Sequence, residues 1–165
     1  MRRWWLWTAT AAAIVGLSVW VFWPASIAPP RARPYLEFTA CMLTDGQGLA
    51  GAQAVPVWAG MQDASLSTHA KVQYLQVSGP DTAANAAPYL ASLVQRKCAV
   101  VVAVGPAQVS AVAAEAAKYP GVRFVVVGVS GSGKNVTSIN SSVPSEVRSR
   151  VAKTITDVVH AAGRS

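Results

Sequence analysis

Charge is scarce in this chain of 165 residues: Asp, Glu, Lys and Arg together make up 13% of it, and only seven residues are acidic. All seven acids lie beyond residue 34, and no charged residue of either sign falls between Trp4 and Trp23. Histidine and cysteine are equally sparse, with two of each. His69 and His160 lie far apart, and neither has a carboxylate or cysteine at ligand spacing, so a metal centre has nothing to be built from; surface or helix-end positions are the ordinary reading. Ser130, Ser132, Ser141 and Ser142 lack a neighbouring base and acid, and no G-x-S-x-G elbow is present. No catalytic residue, cofactor or enzymatic activity is therefore expected. No stripe of Lys and Arg is interleaved with aromatics either. The net charge of +7 owes four of its fourteen bases to Arg2, Arg3, Arg31 and Arg33, which flank the uncharged run. The remaining ten bases face seven acids, about +3, so no nucleic-acid partner is expected.

What is present first is the uncharged run itself. The twenty residues from Trp4 to Trp23, at about 1.5 Å each, reach roughly 30 Å, the thickness of a bilayer's hydrocarbon. Trp4, Trp5 and Trp7 stand at one end and Trp20 and Trp23 at the other, as interfacial aromatic belts do. The best signal-peptidase exit, "ASIA", is followed by Pro29, which disfavours cleavage, so residues 1–23 are expected to remain as a membrane anchor. "FTAC" resembles a lipidation site but lies well past the apolar run. Counting flanking arginines leans toward the C-terminal domain lying outside the cell membrane, in an extracellular or periplasmic position. "PASIAPPRARP" (24–34) then reads as an extended, Pro-rich spacer.

Beyond residue 34 the pattern alternates. "YLEFTACMLT" (35–44), "KVQYLQV" (71–77), "CAVVVAVG" (98–105), "VRFVVVG" (122–128) and "NVTSIN" (135–140) read as strands. Residues 49–69, 82–97 and 106–119 read as helices. The second of these is expected to start near Asn85, because Pro88 fits a first turn better than a middle. Residues 144–162 form an amphipathic helix with Val147, Val151, Ile155, Val158 and Val159 on one stripe. That stripe needs cover, either from the open sheet or from another subunit. Alternating strands and helices with apolar strands predict a doubly wound, Rossmann-like parallel sheet over 35–143, with the amphipathic helix (144–165) following. Trp58 is expected to pack in the core. Cys41 and Cys98 adjoin strands, and either pair in an exported domain or sit as two buried thiols.

Ligands on such sheets bind at the carboxyl ends of the strands. Here that edge is expected to comprise 44–48 ("TDGQG"), 105–108 ("GPAQ") and 128–134 ("GVSGSGK"). The last of these follows an apolar strand and matches G-x-x-x-x-G-K, the phosphate-binding loop of nucleotide hydrolases, up to Asn135, where Ser or Thr would hold magnesium. The loop works when a helix follows and points its amides at phosphate. "NVTSIN" is β-branched instead, and neither apolar strand ends in Asp, so a glycine-rich turn is favoured over a nucleotide site. Lys134 either meets an anionic group or is a solvated loop lysine. Asp45 either accepts a ligand hydroxyl or caps the helix starting near Leu49.

"ACMLTDGQGLAG", "VWAGMQDA", "APYLASLVQRKCAVVVAVGPAQVSAVAAEAAKYPGVRFVVVG" and "NVTSIN" together resemble the basic membrane protein (BMP) family. These are extracellular, often lipid-anchored substrate-binding proteins of ABC importers, many of which capture purine nucleosides. The resemblance covers roughly residues 36–150. It implies one lobe of a type I periplasmic-binding fold and a Cys41–Cys98 disulfide, and Asp45 and Gly105 match it; with the strand-end edge, ligand contacts are expected at Thr44, Asp45, Gln47, Gly105, Ser130 and Lys134. It also carries departures. The family's D-x-S-F-N-Q-like block is replaced by "AGAQAVPVW", which has no Asp, Phe or Asn, and "FVVVG" ends in Gly128 where the family has Asp. The family crosses to a second lobe after "NVTSI", whereas this sequence ends about one helix later. A membrane-anchored binding lobe with a weakened grip on a small solute such as a nucleoside is thus expected. Its missing jaw would come from a partner chain or a second copy. The alternative is a lobe that has lost its ligand and docks onto another membrane protein.

Overall fold

The central strands are buried almost throughout, and their side chains alternate between two clusters with a period of two, which decides the layering. Along Thr39–Thr44 (β1), Ala40 and Met42 pack into one hydrophobic cluster while Cys41 and Leu43 pack into another. The same split runs through Val100–Val104 (β3) and Arg123–Val127 (β4), so both faces of the sheet are dry, as a parallel sheet requires. Lys71–Gln76 (β2) and Val136–Ile139 (β5) lie at the two edges and are less buried. The structure is a computed structural model and describes residues 35–128, 131 and 133–164. The expected anchor and spacer, 1–34, and Ser130 lie outside the described residues.

All five strands are parallel, in the order β2-β1-β3-β4-β5. Helices Ala54–Thr68 (α1) and Pro144–Ala162 (α4) contribute to one cluster, and Ala83–Gln95 (α2) and Pro106–Glu115 (α3) to the other. This is the doubly wound α/β sheet that the alternation predicts.

The amphipathic stripe of α4 finds its cover on the sheet. Val147, Val151, Ile155 and Val159 are buried beside α1, and Val158 packs partly against the same cluster. The two helices approach closely at Gly60, where an added Cβ would collide with the Arg148 backbone carbonyl and lie 3.1 Å from Val151 Cβ. Beside that contact, Arg148 Nε and Nη2 donate to the two Asp63 carboxylate oxygens at 2.6 and 2.8 Å. Trp58 packs against the cluster and meets the edge-strand Tyr74 edge-on, ring centroids 5.6 Å apart.

On the other face, Cys41 and Cys98 form a disulfide with Cα atoms 5.8 Å apart, and Gln73 Nε2 lies 3.1 Å from Cys41 Sγ. Both cysteines are buried.

Several boundaries differ from the sequence reading for local reasons. β1 begins at Thr39, not Tyr35, since Tyr35, Leu36 and Glu37 are exposed ahead of it. A short 3-10 turn at Gly48–Ala50 precedes α1, which starts only at Ala54. α2 starts two residues before Asn85 because the Thr82 hydroxyl accepts the Asn85 N–H at 3.2 Å and fixes the first turn there. Pro88 therefore sits in the helix interior, with no N–H to offer the exposed Ala84.

The connection from β4 to β5 departs most from a helical crossover. Between β4 and β5 the described residues, Gly128, Gly131 and 133–135, include no helix. Gly131 lies flat against the sheet: its N–H donates to Ser138 Oγ at 2.7 Å, and Ser138 Oγ donates back to the Gly131 carbonyl at 2.9 Å. A Cβ at Gly131 would sit 2.8 Å from Val126 Cγ2, so only glycine lets the backbone cross there.

Candidate functional site at the carboxyl rim of the sheet

The strand order reverses between β1 and β3. After β1 the chain turns to α1 on one face, and after β3 it turns to α3 on the other. The two departing connections leave a crevice at the carboxyl ends of these strands, the switch point at which open α/β sheets bind ligands.

β1 delivers Thr44 and Asp45 to this rim. Thr44 is fully buried and its hydroxyl has no hydrogen-bond partner. Asp45 does not cap α1, which begins nine residues later in the numbering; its Oδ1 accepts the Gln47 N–H at 2.9 Å and closes a tight turn. The Gln47 side chain is left exposed. From β2, Gln76 Nε2 donates to the Gly46 carbonyl at 2.6 Å and holds the turn from outside.

β3 delivers Gly105, which stands at φ +108° as the residue before α3, with Pro106 opening the helix. A Cβ there would collide with Gln108 Oε1 and lie 3.7 Å from Asp45 Cβ, so Gly105 brings the two sides of the crevice together. Positive φ and close approach both demand glycine at this point.

Gln108 is the residue that sequence reasoning missed as an individual. It is fully buried, folded across Gly105, and its Nε2 reaches Asp81 Oδ1 only at 3.5 Å. Among the described residues its Oε1 has no partner. A buried amide left so costs roughly 1–3 kcal/mol, which an otherwise alanine- and valine-rich helix has no packing reason to bear. A signal was present: Gln108 falls one turn before Ala111 and Val112, on the buried side of α3. At the rim Asp45, Gln47 and Asp81 offer two carboxylates and an amide to solvent, while the Thr44 hydroxyl and the Gln108 amide lie fully buried beneath them.

Lys134 is not part of this set. β5 runs parallel to β4 with Val136 opposite Phe124, so the chain must return the length of a strand before β5 begins. Lys134 consequently stands at the amino-end pole of the sheet, on the order of 15 Å from the rim. It turns directly into a strand there, so no helix N-terminus follows the glycines. Asn135 beside it is structural: its Nδ2 lies 3.0 Å from each of the carbonyls of Ala116, Tyr119 and Val122, two protons shared among three acceptors. Lys134 itself is exposed and borders a cavity of about 440 Å³ lined by Ala113, Ala116 and Pro120. Of the expected ligand residues, then, Thr44, Asp45, Gln47 and Gly105 share one rim, Lys134 lies at the opposite end, and Ser130 is outside the described residues.

A second concavity of the rim, about 220 Å³, lies at the end of β4 beside Gly128, Gln53, Ser141 and Val147. Ser141 Oγ donates to Glu146 Oε2 at 2.7 Å, and with Arg150 it holds the Glu146 carboxyl below the usual carboxylate range. His69 and His160 are both exposed at helix ends. Among the described residues no group of three or more metal-ligating side chains occurs, and no helix is long and apolar enough to cross a membrane.

The chain matches no protein-family model and no curated protein. It is similar in structure to a fragment described as a lipoprotein of Peptoclostridium difficile 630, with 17% identity and a TM-score of 0.62 over 73% of this chain and 98% of the fragment. It is similar to a transcriptional activator of the comK gene from Bacillus halodurans, with 17% identity and a TM-score of 0.51 over 61% of this chain and 33% of that one. It is also similar to an ABC transporter solute-binding protein from Aeropyrum pernix K1, with 18% identity and a TM-score of 0.50 over 61% of this chain and 28% of that one. The chain therefore spans nearly the whole of the fragment but about a third or less of the other two. At these identities the likeness is one of fold: a periplasmic-binding-like α/β lobe.

Proposed function

We propose that this chain is a membrane-anchored, extracytoplasmic solute-binding lobe of the BMP type, which contacts a small hydroxylated solute such as a nucleoside through the β1/β3 crevice. The observation that carries this reading is the buried, unpartnered carbonyl oxygen of Gln108, held over Gly105 and beside Asp45 at the switch point. Polar atoms left in that state favour a ligand that completes them. The fold shared with a solute-binding protein and the sequence around Thr44, Asp45 and Gly105 support the same reading. The buried disulfide suits an oxidising compartment outside the cytoplasm.

The grip is reduced in comparison with the BMP family. In the helix after the 3-10 turn the one aromatic, Trp58, packs against the core and Tyr74, and Asp63 is paired with Arg148, so neither serves a solute at the rim, and one lobe forms only one wall of a cleft. A second wall has to come from outside residues 35–164. Without it, most of a solute's surface stays in water and affinity is low.

Calorimetric titration of the protein with a panel of nucleosides and pentoses tests the proposal. Saturable heat with any member, reduced by Gln108→Ala, supports it. Silence across the panel favours instead a module that docks onto a membrane partner.

A further inference from the structure

Half of the domain's bases carry no counter-ion, and all of these stand at one end. Arg148, Arg150 and Lys153 on α4 are paired with Asp63, Glu146 and Asp157. Lys71 and Lys118 are paired with Glu37 and Glu115. Arg96, Lys97, Arg123, Lys134 and Arg164 have no ion pair among the described residues, and each is exposed. The topology explains where they go. Arg96 and Lys97 lie between α2 and β3, Arg123 opens β4, Lys134 precedes β5, and Arg164 follows α4. In a parallel sheet all of these positions fall at the amino-end pole. The side-chain pairing at that pole, Lys71 with Glu37 and Lys118 with Glu115, adds no net charge, so the pole carries about five uncompensated positive charges. The opposite rim holds Asp45 and Asp81, while Glu146 there is paired with Arg150.

The chain also enters the domain at the basic pole. Tyr35 and Leu36 are exposed there, 52% and 46%, ahead of β1, and the Leu36 N–H donates to the His69 carbonyl at 2.9 Å. Exposed cations at the same pole as an exposed tyrosine and leucine are a composition that sits at a lipid headgroup layer: the cations attract anionic headgroups, and the tyrosine and leucine settle among them.

We infer that the amino-end pole, through Arg96, Lys97, Arg123, Lys134 and Arg164, docks on an anionic lipid surface and turns the β1/β3 crevice away from the bilayer. This goes beyond solute binding and does not need it; it shares with the proposed function only the neighbouring bilayer. The cations have a use here that the crevice does not give them, and the acidic rim would be repelled by the same surface.

The test uses the full chain in lipid nanodiscs of phosphatidylcholine alone or with added phosphatidylglycerol. One dye is placed at Gly121→Cys, where an added Cβ meets nothing within 4 Å, and another, in a separate sample, at the exposed rim residue Val143→Cys. The native cysteines are already bonded to each other, so each variant offers one thiol. Energy transfer to a headgroup acceptor is expected to be greater from position 121 than from 143 on the anionic discs. The difference should be lost on neutral discs, lost at high salt, and lost when the five bases are replaced by Gln; the salt arm keeps the test valid if that variant fails to fold. Equal transfer from both positions, a nearer position 143, or indifference to lipid charge overturns this inference alone. A chain retained by neither disc overturns the anchored reading with it. Displacement from the anionic discs by an equal charge of duplex oligonucleotide assigns the pole to nucleic acid and overturns it as well.

Discussion

The two ends of the sheet have been built to opposite specifications. At the amino-end pole, loose chain is tied down: the disulfide spans from mid-β1 to the start of β3, and the Asn135 amide gathers three carbonyls of the loop before β4. At the carboxyl rim, Thr44 Oγ1 and Gln108 Oε1 are buried without a hydrogen-bond partner among the described residues. Stability is concentrated where it costs no function, and unmet hydrogen-bonding capacity where a solute can use it. Charge follows the same division, basic at one end and acidic at the other.

The largest effect on this comparison should come from cutting the covalent tie. The Cys41–Cys98 link closes a loop with a sequence separation of 57, and the chain-entropy account gives it about 4 kcal/mol. The double Cys→Ala variant should lose about that much in denaturant unfolding while leaving rim contacts with any bound solute intact. A loss of solute binding with folding preserved would show that the two ends are not independent. Next in size is Gly105→Val, which imposes a β-branched residue at φ +108° and drives a side chain into Gln108; a loss of about 2–4 kcal/mol and displacement of Gln108 are expected, seen as a lowered midpoint and lost solute heat. Asp45→Ala should separate binding from folding. Its turn bond to Gln47 contributes about 1 kcal/mol, whereas loss of a hydroxyl acceptor should weaken solute binding about tenfold or more by calorimetry.

The smallest effect belongs to neither end. The guanidinium of Arg148 holds the Asp63 carboxyl below its ordinary range. A carboxyl whose folded pKa is depressed stabilises the fold above its unfolded pKa, and that contribution fades as pH falls from about 4 through the lower folded value. Asp63→Asn should therefore narrow only slightly the gap in melting temperature between neutral and acid solution, since the pair is exposed. A change equal at all pH values would trace to packing at Gly60 instead.

Much of this architecture was legible from local pattern. Apolar runs such as "VVVAV" fixed the buried strands, and the stripe of α4 matched its observed span, Pro144–Ala162, at both ends. Switch-point residues followed from topology alone, which put Thr44, Asp45 and Gly105 on a common edge. Failures arose where the deciding fact was non-local. Lys134 is four residues from Ser130 in the chain, yet the parallel register of β5 on β4 carries it to the other pole, and no motif at 128–134 records that pairing. Pro88 misplaced the start of α2 because a proline rule outweighed the Thr82 cap. Gln108 lies in both the expected helix 106–119 and the rim segment 105–108, and a polar side chain on a buried helix face is a signal readable in the sequence.

The account rests on the claim that solute meets the carboxyl rim and not the basic pole. Titration of the isotope-labelled protein with the nucleoside panel, followed amide by amide, reads this directly. Saturable shifts centred on residues 44–47 and 105–108, with Arg123 and Lys134 unmoved, are predicted. Shifts centred on the cavity beside Lys134, or none at the rim under saturating solute, would contradict it.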